Sequence, residues 1–427
     1  MKRHIDSALK ILVKIFSEKT YSNIAFYGEK ASDMTTKLVY GVLDENVKIE
    51  YILSTLIRKK PQNIVYILLK IGVYALQNLT DVPNFAIVSE CVEVAKMNGK
   101  TANAGFVNAV LKKVANGEFS LPKESDENYL SVTYSKPKWF VDKLVAQYGK
   151  DVAVKIMSAP ITDKEHARVN TRLTTLDDVE KRLKKADEDF EESEVGGLVL
   201  SASKPVKDLF KEGLLTFQSP SSILAVYSLG IKDGSKILDL CSAPGGKAVL
   251  MSELDKSGEV CACDLHPHRV KLIESYKARM RADNVKTAVL DATKFKSEWE
   301  EKFDYVLLDA PCSCFGTFRK HPDVFLSRDE SDLQNIAKTQ REILKNAVRY
   351  LKNGGKLVYS TCTLFDEENA QVVDSVIDGK EFKLEKITFE NAALYKKFDN
   401  NNGTIALLPE GQYDGFYIAK IVRCKND

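Results

Sequence analysis

The sequence lacks a hydrophobic run long enough to cross a membrane. A spanning helix needs about eighteen consecutive apolar residues, and no stretch of this chain reaches that length. The N-terminal apolar stripe is interrupted by Lys10, Lys14 and Lys19, so we find no continuous signal-peptide core. We therefore expect a cytoplasmic protein without a membrane partner.

The chain also lacks a strong excess of charge of either sign. Its 62 lysine and arginine residues are nearly matched by 60 aspartate and glutamate residues, which gives a formal net charge of +2. This balance excludes a histone-like or polybasic binder. If nucleic acid is the partner, local basic patches must contact it, because lysine and arginine supply most of the affinity for phosphates.

Cysteine does not occur at the spacings of a zinc site or a disulfide framework. The eight cysteines include two C-x-C pairs, Cys261 with Cys263 and Cys312 with Cys314, but these pairs lack the partners of a zinc-binding motif. We therefore predict no metal site. Scattered cysteines in a long intracellular chain are still compatible with a reactive thiol.

The pattern of apolar residues divides the 427-residue chain into three predicted domains. The first, 1–120, is helical, because apolar residues recur three and four apart with few prolines or glycines. A polar, proline-bearing stretch at 121–128 predicts a linker. Residues 129–207 mix short helices with short strands, which predicts a small α/β module.

The third predicted domain, 208–427, alternates apolar strands with helices. Its five predicted strands are at 236–240, 259–264, 287–290, 305–309 and 356–361. This alternation predicts a parallel, doubly wound α/β sheet. Ligands bind such sheets beyond the carboxyl ends of the strands, where the motifs described next are found.

The turn CSAPGGK at 241–247 joins the first of these strands to a helix. Its adjacent glycines let the backbone approach a ligand closely at a helix N-terminus. The turn is not G-x-G-x-x-G, which argues against a nicotinamide oxidoreductase. It is not a phosphate loop either, because Ala248 follows Lys247 where such loops have Ser or Thr. A purely structural turn is the alternative explanation for the glycine pair.

Two aspartates at later strand ends favour a nucleoside ligand. Asp264 closes the second predicted strand about twenty residues after the turn, where an acid can bind both ribose hydroxyls. Asp291 closes the third strand and could meet an adenine amino group. Each aspartate alone is more typical of a loop cap. Together with the glycine turn they predict a site for an adenosine-containing ligand.

Two cysteines follow the fourth and fifth predicted strands. Cys312 ends the motif DAPC, and Cys362 lies in YSTCT. An isolated cysteine is more often a core residue, because cysteine is among the most buried residue types. Both of these cysteines leave a strand at the mouth of the predicted cofactor cleft, which favours covalent chemistry by a thiol.

These motifs together resemble the Sun/Nop-type RNA cytosine-C5 methyltransferases. The resemblance rests on CSAPGGK, Asp264, Asp291, DAPCS, YSTCT with the following EEN, DGFYIAK at 414–420 and the RVN at 168–170. Residues 4–117 are similar to the helical domain of the antitermination factor NusB, most clearly in GFVNAVL at 105–111. The resemblance covers essentially the whole chain. It implies an all-α NusB-like domain, a small α/β module and a Rossmann-like methyltransferase domain.

The resemblance implies S-adenosylmethionine (SAM) as cofactor and a cytosine of small-subunit (16S) ribosomal RNA as substrate. Carbon 5 of cytosine is a poor nucleophile, so Cys362 would first add to carbon 6, and Cys312 would assist release of the product. Asp309 would hydrogen-bond nitrogen 3, and Lys247 would tune the charge of the pocket. The implied cofactor-binding residues are Cys241, Ser242, Ala243, Pro244, Gly245, Gly246, Lys247, Asp264, Arg269, Asp291 and Asp309.

The target base must leave its stack to reach a thiol and a cofactor, so unpaired RNA or a flipped nucleotide is expected. The candidate RNA contacts are Arg319, Lys320 and His321, with Arg168, Arg172, Lys112 and Lys113 as weaker candidates. A solvated charge run is the alternative for the RKH at 319–321. We expect a monomer that does not act on DNA.

Two positions depart from the family pattern. Cys314 and Phe315 follow Ser313 where the family has a small residue and then Thr-Gly, so the bulk of Phe315 bears on the shape of the base pocket. Ser219 follows Gln218 where an aspartate is common, so one polar contact near the cofactor is expected to differ.

Two further functions compete with RNA methylation. A non-catalytic RNA-binding or assembly factor would lose a reactive thiol first, whereas both cysteines are intact here. A DNA cytosine methyltransferase attacks from a Pro-Cys position, which leaves the Thr-Cys at Cys362 unexplained.

Overall fold

The computed structural model describes residues 1–29, 31–389 and 402–425, together with Leu394 and Phe398. Its helices, α1 to α18, are Lys2–Glu18, Ser22–Ala25, Asp33–Asp44, Asn46–Leu56, Asn63–Asn78, Asn84–Met97, Ala104–Ala115, Tyr129–Thr133, Lys138–Tyr148, Lys150–Ser158, Leu176–Lys185, Lys204–Lys211, Pro220–Leu229, Gly246–Leu254, Pro267–Met280, Val324–Ser327, Glu330–Arg349 and Ala370–Val373. Its strands, β1 to β12, are Glu165–Val169, Phe190–Glu192, Leu198–Leu200, Leu215–Phe217, Lys236–Asp239, Glu259–Asp264, Val285–Val289, Phe303–Asp309, Leu351–Thr361, Phe382–Leu384, Thr404–Leu407 and Phe416–Arg423. In this described part of the chain, every helix is too short or too polar to span a membrane.

Contacts between residues divide the chain into two compact units. Unit 1 comprises Met1–Ala159 with Phe318–Glu330, and unit 2 comprises Pro160–Thr317 with Ser331–Asp427. Unit 1 is helical, and unit 2 contains both sheets. The predicted order of a helical domain followed by α/β structure is therefore confirmed.

Unit 1 is built around helix α5, which is apolar on nearly every side. All of its residues from Val65 to Ala75 are buried, as expected for a central helix. Helices α1, α3, α6 and α7 pack against it. A Cβ on Gly72 would lie 2.7 Å from the side chain of Leu111, so the absence of a side chain there permits the close approach of α5 and α7.

Residues 129–159 group with the helical unit, whereas the sequence analysis assigned them to the small α/β module. The side chain of Lys136 is 4% exposed, and its Nζ lies 2.7 Å from Asp44 Oδ1 of α3. This partly buried contact ties the segment to helix α3. The sheet of the small module begins only at Glu165.

The small sheet of unit 2 has the antiparallel strand order β2-β3-β1-β4. Helices α11 and α12 supply the other side of its core, which buries Val179, Leu183, Val206 and Leu209. The sheet thus has the α/β composition predicted for the small module, although it starts later in the chain.

The large sheet of unit 2 has the strand order β10-β12-β9-β8-β5-β6-β7, and β11 also pairs with β12. Strands β5 to β9 are parallel, and β12 joins β9 in antiparallel register. The five predicted strands overlap β5 to β9. The parallel Rossmann-like sheet is therefore confirmed, and the carboxyl ends of five strands meet along one edge.

Candidate active site

The turn after β5 forms a glycine cradle at the start of α14. Gly245 has φ +111, a conformation that strongly favours glycine. A Cβ on Gly245 would lie 3.2 Å from Ile273 Cγ2, so a side chain would also crowd α15. Ser242 N donates to Cys263 O at 2.8 Å, which fixes the turn to β6. The backbone of this loop is therefore shaped for close approach of a ligand.

Asp264, at the end of β6, is joined to the same turn. Its side chain is 2% exposed, and Oδ2 accepts a hydrogen bond from Ala243 N at 3.2 Å. Oδ1 lies 3.4 Å from Arg269 Nε but accepts no hydrogen bond from any described residue. A buried carboxylate oxygen without a hydrogen bond is costly. The glycine cradle and this oxygen fit a ribose hydroxyl of SAM.

Asp291 caps its own turn, which is the loop-capping role that the sequence left open as an alternative to ligand binding. Oδ1 accepts hydrogen bonds from Thr293 N at 3.1 Å and Thr293 Oγ1 at 2.6 Å. The hydroxyl bond from Thr293 lowers the pKa of Asp291, so it is ionised at neutral pH. An ionised carboxylate still has accepting capacity for an adenine amino group, and this contact stays a prediction.

Asp309 and Lys247 form an ion pair at the ends of β8 and the glycine turn. Lys247 Nζ lies 2.6 Å from Asp309 Oδ2, and Ser360 Oγ donates to Asp309 Oδ1 at 2.8 Å. Burial disfavours the ammonium of Lys247, but the charge of Asp309 outweighs this effect and raises its pKa. Lys247 is therefore a fixed positive charge, consistent with the predicted tuning role.

Cys312 and Cys362 converge, as the sequence analysis required. Their Sγ atoms are 3.3 Å apart, and both residues are partly buried. Contact with Cys314 raises the pKa of Cys312 well above its usual range, and contact with Cys362 and burial add to this. A hydrogen bond from Cys312 lowers the pKa of Cys362, but contact with Cys314 and burial outweigh it and raise this pKa well above normal. Both groups are thiols at neutral pH in this state.

A buried glutamate holds the loop that carries Cys312. Glu368, the second residue of EEN, is 0% exposed. It accepts hydrogen bonds from Ser313 N at 2.8 Å, Ser313 Oγ at 2.5 Å and Gln340 Nε2 at 3.1 Å. Gln340 Nε2 also donates to Pro311 O at 2.9 Å. The residues on both sides of Cys312 are thus fixed by one network.

The neighbouring asparagine holds the segment that carries Cys362. Asn369 Oδ1 accepts from Thr361 Oγ1 at 2.5 Å, and its Nδ2 donates to Thr363 O at 3.4 Å. Glu368 therefore positions the loop of Cys312, and Asn369 positions the segment of Cys362. The sequence analysis quoted EEN for the resemblance but assigned it no role.

Gly316 and Gly415 lie in contact where the Cys312 loop and the Cys362 segment meet the start of β12. Gly316 N donates to Cys362 O at 2.8 Å, and Gly415 N donates to Gly316 O at 2.9 Å. A Cβ on Gly316 would lie 2.0 Å from Gly415 O, so the two backbones can cross only without a side chain. Phe315 beside them is fully buried with its ring 5.9 Å from that of Phe365. Its bulk is accommodated in the core.

The structure does not support an RNA contact for Arg168. The residue is 4% exposed, its Nη1 forms an ion pair with Glu253 Oε2 at 2.5 Å, and its Nε donates to Gln218 Oε1 at 2.9 Å. Arg172 is half-buried and donates to Ser252 O and Asn284 Oδ1. Both guanidinium groups are used inside unit 2, so they tie the small sheet to helix α14 and to the loop before β7.

The three residues of the RKH run after the Cys312 loop differ in their exposure to solvent. Arg319 is 5% exposed, which argues against a phosphate contact by its side chain. Lys320 and His321 are exposed, as are Lys112 and Lys113 on α7. RNA contacts by these four residues stay predictions.

One thiol beside the predicted pair was missed. Cys314 Sγ lies 4.0 Å from Cys312 Sγ, and the three sulfurs of Cys312, Cys314 and Cys362 lie within 4.8 Å of one another. From the sequence, Cys314 was noted as half of a C-x-C pair and as a departure from the family pattern, but not as a neighbour of Cys362. The C-x-C spacing was the available signal, but it was set aside because no third ligand was near in sequence.

Comparison with known proteins places these motifs in a family. A family model described as 16S rRNA methyltransferase RsmB/F matches residues 226–422, and a NusB family model matches residues 5–116. The chain is 33% identical to a protein of Bacillus subtilis (strain 168) named "Probable ribosomal RNA small subunit methyltransferase B", over 97% of this chain and 98% of that protein.

Solved structures share the fold. The crystal structure of PH0851 superposes with a TM-score of 0.80 at 23% identity and covers 99% of this chain and 98% of its own. That of NSun6 from Pyrococcus horikoshii, solved with the SAM analogue SFG, has a TM-score of 0.60 at 23% identity and covers 68% of this chain and 99% of its own. At these identities the likeness concerns the fold alone.

Proposed function

Because this chain belongs to the RsmB/F family of SAM-dependent 16S rRNA methyltransferases, we propose that it methylates carbon 5 of one cytosine through a covalent bond from Cys362 to the base. The observation that carries this proposal is the 3.3 Å separation of the Cys312 and Cys362 sulfurs. Two thiols at this distance can act on one pyrimidine ring. The Lys247–Asp309 ion pair lies beside them.

The first step is addition of the Cys362 thiolate to carbon 6 of cytosine. A sulfur–carbon bond forms, and the electron pair of the 5,6 double bond moves towards carbon 5 and nitrogen 3. Protonation at nitrogen 3 favours this addition. We assign the hydrogen bond to nitrogen 3 to Asp309, whose Oδ2 lies 2.6 Å from Lys247 Nζ. Lys247, whose pKa is raised by the charge of Asp309, supplies the positive charge of the pocket.

SAM, which the glycine turn and Asp264 would hold, would supply an electrophilic methyl group to the nucleophilic carbon 5, and its sulfur would leave as a neutral thioether with the bonding electron pair. The proton on carbon 5 must then leave, and its electron pair re-forms the double bond as the bond to Cys362 breaks. The electron pair of the broken bond returns to the Cys362 sulfur, and Cys312, 3.3 Å from Cys362 at sulfur, would accept the carbon 5 proton in its thiolate form. Removing Cys312 should therefore leave the adduct in place after methyl transfer.

Activation of Cys362 requires removal of a proton in the substrate complex. Its pKa is raised well above normal by contact with Cys314 and by burial, despite the hydrogen bond from Cys312. A thiol is a weak nucleophile compared with its thiolate. We propose that the positive charge of Lys247 and the cytosine that enters the pocket lower the free-energy cost of ionising the Cys362 thiol. While no RNA is bound, the protonated thiol avoids unproductive reactions.

RNA recognition is proposed for exposed basic residues of unit 1. Lys320, His321, Lys112 and Lys113 are exposed there. Residues 5–116 match the NusB family model. Lysines contact phosphates without reading sequence, so these residues would hold the RNA while the base enters the pocket.

A covalent-trapping experiment tests this function. The Cys312→Ser variant, incubated with SAM and 16S rRNA, should accumulate an RNA–protein adduct that migrates as a shifted band in a denaturing gel. The double variant Cys312→Ser/Cys362→Ala should form none. Cys261→Ser, which changes the other C-x-C pair, is the matched control and should behave as wild type. An adduct in Cys362→Ala but not in Cys312→Ser would reverse the two roles.

Nucleoside analysis tests the product. Digestion of RNA methylated by the wild-type protein should release 5-methylcytosine, detected by mass spectrometry. Methylation at another atom would exclude the thiol mechanism. A protein that binds 16S rRNA without methylating it under any condition would instead act as an assembly factor.

A further inference from the structure

Three cysteine sulfurs form a cluster at the active site. The distance between Sγ atoms is 3.3 Å for Cys312 and Cys362 and 4.0 Å for Cys312 and Cys314, and all three atoms lie within 4.8 Å of one another. Each of the three residues is partly buried. The cluster is therefore a set of three converging soft ligands.

The separations of these sulfurs match those of a metal–thiolate site. A zinc–sulfur bond of about 2.3 Å in tetrahedral geometry separates the bound sulfurs by about 3.8 Å. The Cys312–Cys362 sulfur distance of 3.3 Å is shorter than this value, and the Cys312–Cys314 sulfur distance of 4.0 Å is longer. Three protein ligands leave the fourth position open to water, as in zinc sites with an accessible coordination position.

The backbone holds Cys314 in a constrained position. Its φ of +64 lies in the left-handed region, which disfavours residues other than glycine. Its carbonyl accepts hydrogen bonds from Thr317 N at 3.0 Å and Thr317 Oγ1 at 2.9 Å. This turn directs the Cys314 sulfur towards Cys312, so the ligands need little rearrangement.

The charges around the cluster are compatible with a cation. Lys247 is the positive group that faces Cys362, and its charge is offset by Asp309 at 2.6 Å. Three thiolates would exceed the charge of a divalent ion. Thiolates select soft ions such as Zn²⁺ and Cd²⁺ over Mg²⁺ or Ca²⁺.

We propose that Cys312, Cys314 and Cys362 bind one thiophilic divalent ion, Zn²⁺ or Cd²⁺, when no RNA base is present. Each thiol loses its proton to solvent as its sulfur binds the metal, so no oxidant or reductant is needed. Occupancy removes Cys362 as a nucleophile and thereby inhibits methyl transfer, a consequence that rests on the proposed function. The ion is an inhibitor, and catalysis requires its departure.

A metal titration of the reduced full-length protein, without SAM or RNA, tests the site. Cd²⁺ should bind with one-to-one stoichiometry and produce the ultraviolet charge-transfer absorption of cadmium–thiolate bonds. Zn²⁺ should compete for the same site, as measured with a chromophoric chelator. Cys314→Ser should weaken affinity by at least about tenfold, because one of three ligands is lost.

Two further variants control for folding and location. Cys314→Gly removes the same thiol while suiting the left-handed backbone, so it should fold and should also bind metal at least about tenfold more weakly. Cys261→Ser should retain the affinity of the wild type. Unchanged affinity in both Cys314 variants, or a loss in Cys261→Ser, would overturn the proposal.

Inhibition assays separate this inference from the proposed function. Zn²⁺ should inhibit wild-type methyl transfer at concentrations at least about tenfold lower than those that inhibit Cys314→Ser. If the protein methylates nothing, the metal titration still decides the site by itself. If the titration and the Cys314 variants place the ion on these three thiols but methylation proceeds normally at saturating Zn²⁺, the role of Cys362 as nucleophile is wrong and the metal site stands.

Discussion

The two C-x-C pairs of unit 2 have the same spacing but occupy different structures. Cys261 and Cys263 lie on β6 with their sulfurs 3.8 Å apart, because alternate residues of a strand point to the same face. Cys312 and Cys314 lie in a loop with their sulfurs 4.0 Å apart, and Cys362 lies 3.3 Å from Cys312. Only the loop pair gains a third thiol.

The difference shows that position relative to the strand ends, rather than spacing, decides the use of a cysteine pair. Cys263 belongs to a hydrophobic cluster with Leu238 and Val306. The loop pair lies beyond the end of β8, where the end of β9 delivers Cys362. A cysteine pair inside a strand has its neighbours fixed by the sheet, whereas a pair beyond a strand end can meet a ligand.

The largest expected contrast is in catalysis. Cys362→Ala should lower methyl transfer by at least about 10³-fold, because the proposed nucleophile is lost. Cys261→Ala should change the rate by less than about threefold and lower the free energy of unfolding by about 1 kcal/mol. Initial rates with tritiated SAM and urea unfolding measure the two effects. Similar rate losses in both variants would remove the distinction between the pairs.

The second contrast concerns how each pair is held. The strand pair is fixed by the backbone pairing of β6 with β5 and β7, whereas the Cys312 loop depends on Glu368. Glu368→Ala should lower methyl transfer by about 10- to 100-fold and the free energy of unfolding by about 2 kcal/mol, because buried donors lose their acceptor.

The Glu368→Gln variant is the control for this prediction. It keeps one accepting oxygen and should recover part of the rate. The KM for SAM should be unchanged in both variants, since Glu368 contacts the cysteine loop and not the glycine turn. A rise in KM for SAM without a fall in kcat would contradict a positioning role.

The third contrast is in proton affinity. The hydrogen bond from Cys263 lowers the pKa of Cys261, whereas the contact with Cys314 and burial raise that of Cys362 against a hydrogen bond from Cys312. A raised pKa keeps Cys362 protonated at neutral pH, so the thiolate fraction grows with pH. Single-turnover methyl transfer should rise by up to about tenfold per pH unit between about pH 6.5 and 8.5. A flat profile would show that thiol ionisation does not limit the reaction.

The smallest contrast is in stability. Cys314→Gly should raise the free energy of unfolding by about 1 kcal/mol, because glycine relieves the positive φ of +64. Cys263→Gly should lower it by about 2 kcal/mol, because a buried strand residue loses its side chain. Urea denaturation measures both. A loss of stability in Cys314→Gly would show that the thiol contacts outweigh the backbone strain.

The sequence was sufficient to predict the residues at strand ends. Parallel strands align their carboxyl ends, so the order of β5, β8 and β9 brings Lys247, Asp309 and Cys362 to one edge without knowledge of loop shape. The same reasoning correctly paired Cys312 with Cys362. These predictions depended on topology, which periodic apolar patterns specify.

Other contacts depended on long-range packing and could not be predicted. Arg168 was a weaker candidate for an RNA contact, but Glu253, 85 positions later, neutralises it in the interior. Cys314 joins the thiol cluster only because its loop turns through a left-handed residue. Lys136 belongs with the helical unit through Asp44, 92 positions earlier. These partners are distant in sequence and meet only when the chain folds, so local sequence patterns do not reveal them.

The crossing of Gly316 and Gly415 has a consequence for when the enzyme becomes competent. Synthesis proceeds from the N-terminus, and domains fold as units during or after it. Strands β5 to β9, Cys312 and Cys362 emerge from the ribosome before Gly415, yet the loop of Cys312 is joined to the segment of Cys362 through Gly316, whose carbonyl accepts from Gly415 N. The hydrogen bond that completes this crossing therefore forms only after both cysteines and strands β5 to β9 have been synthesised.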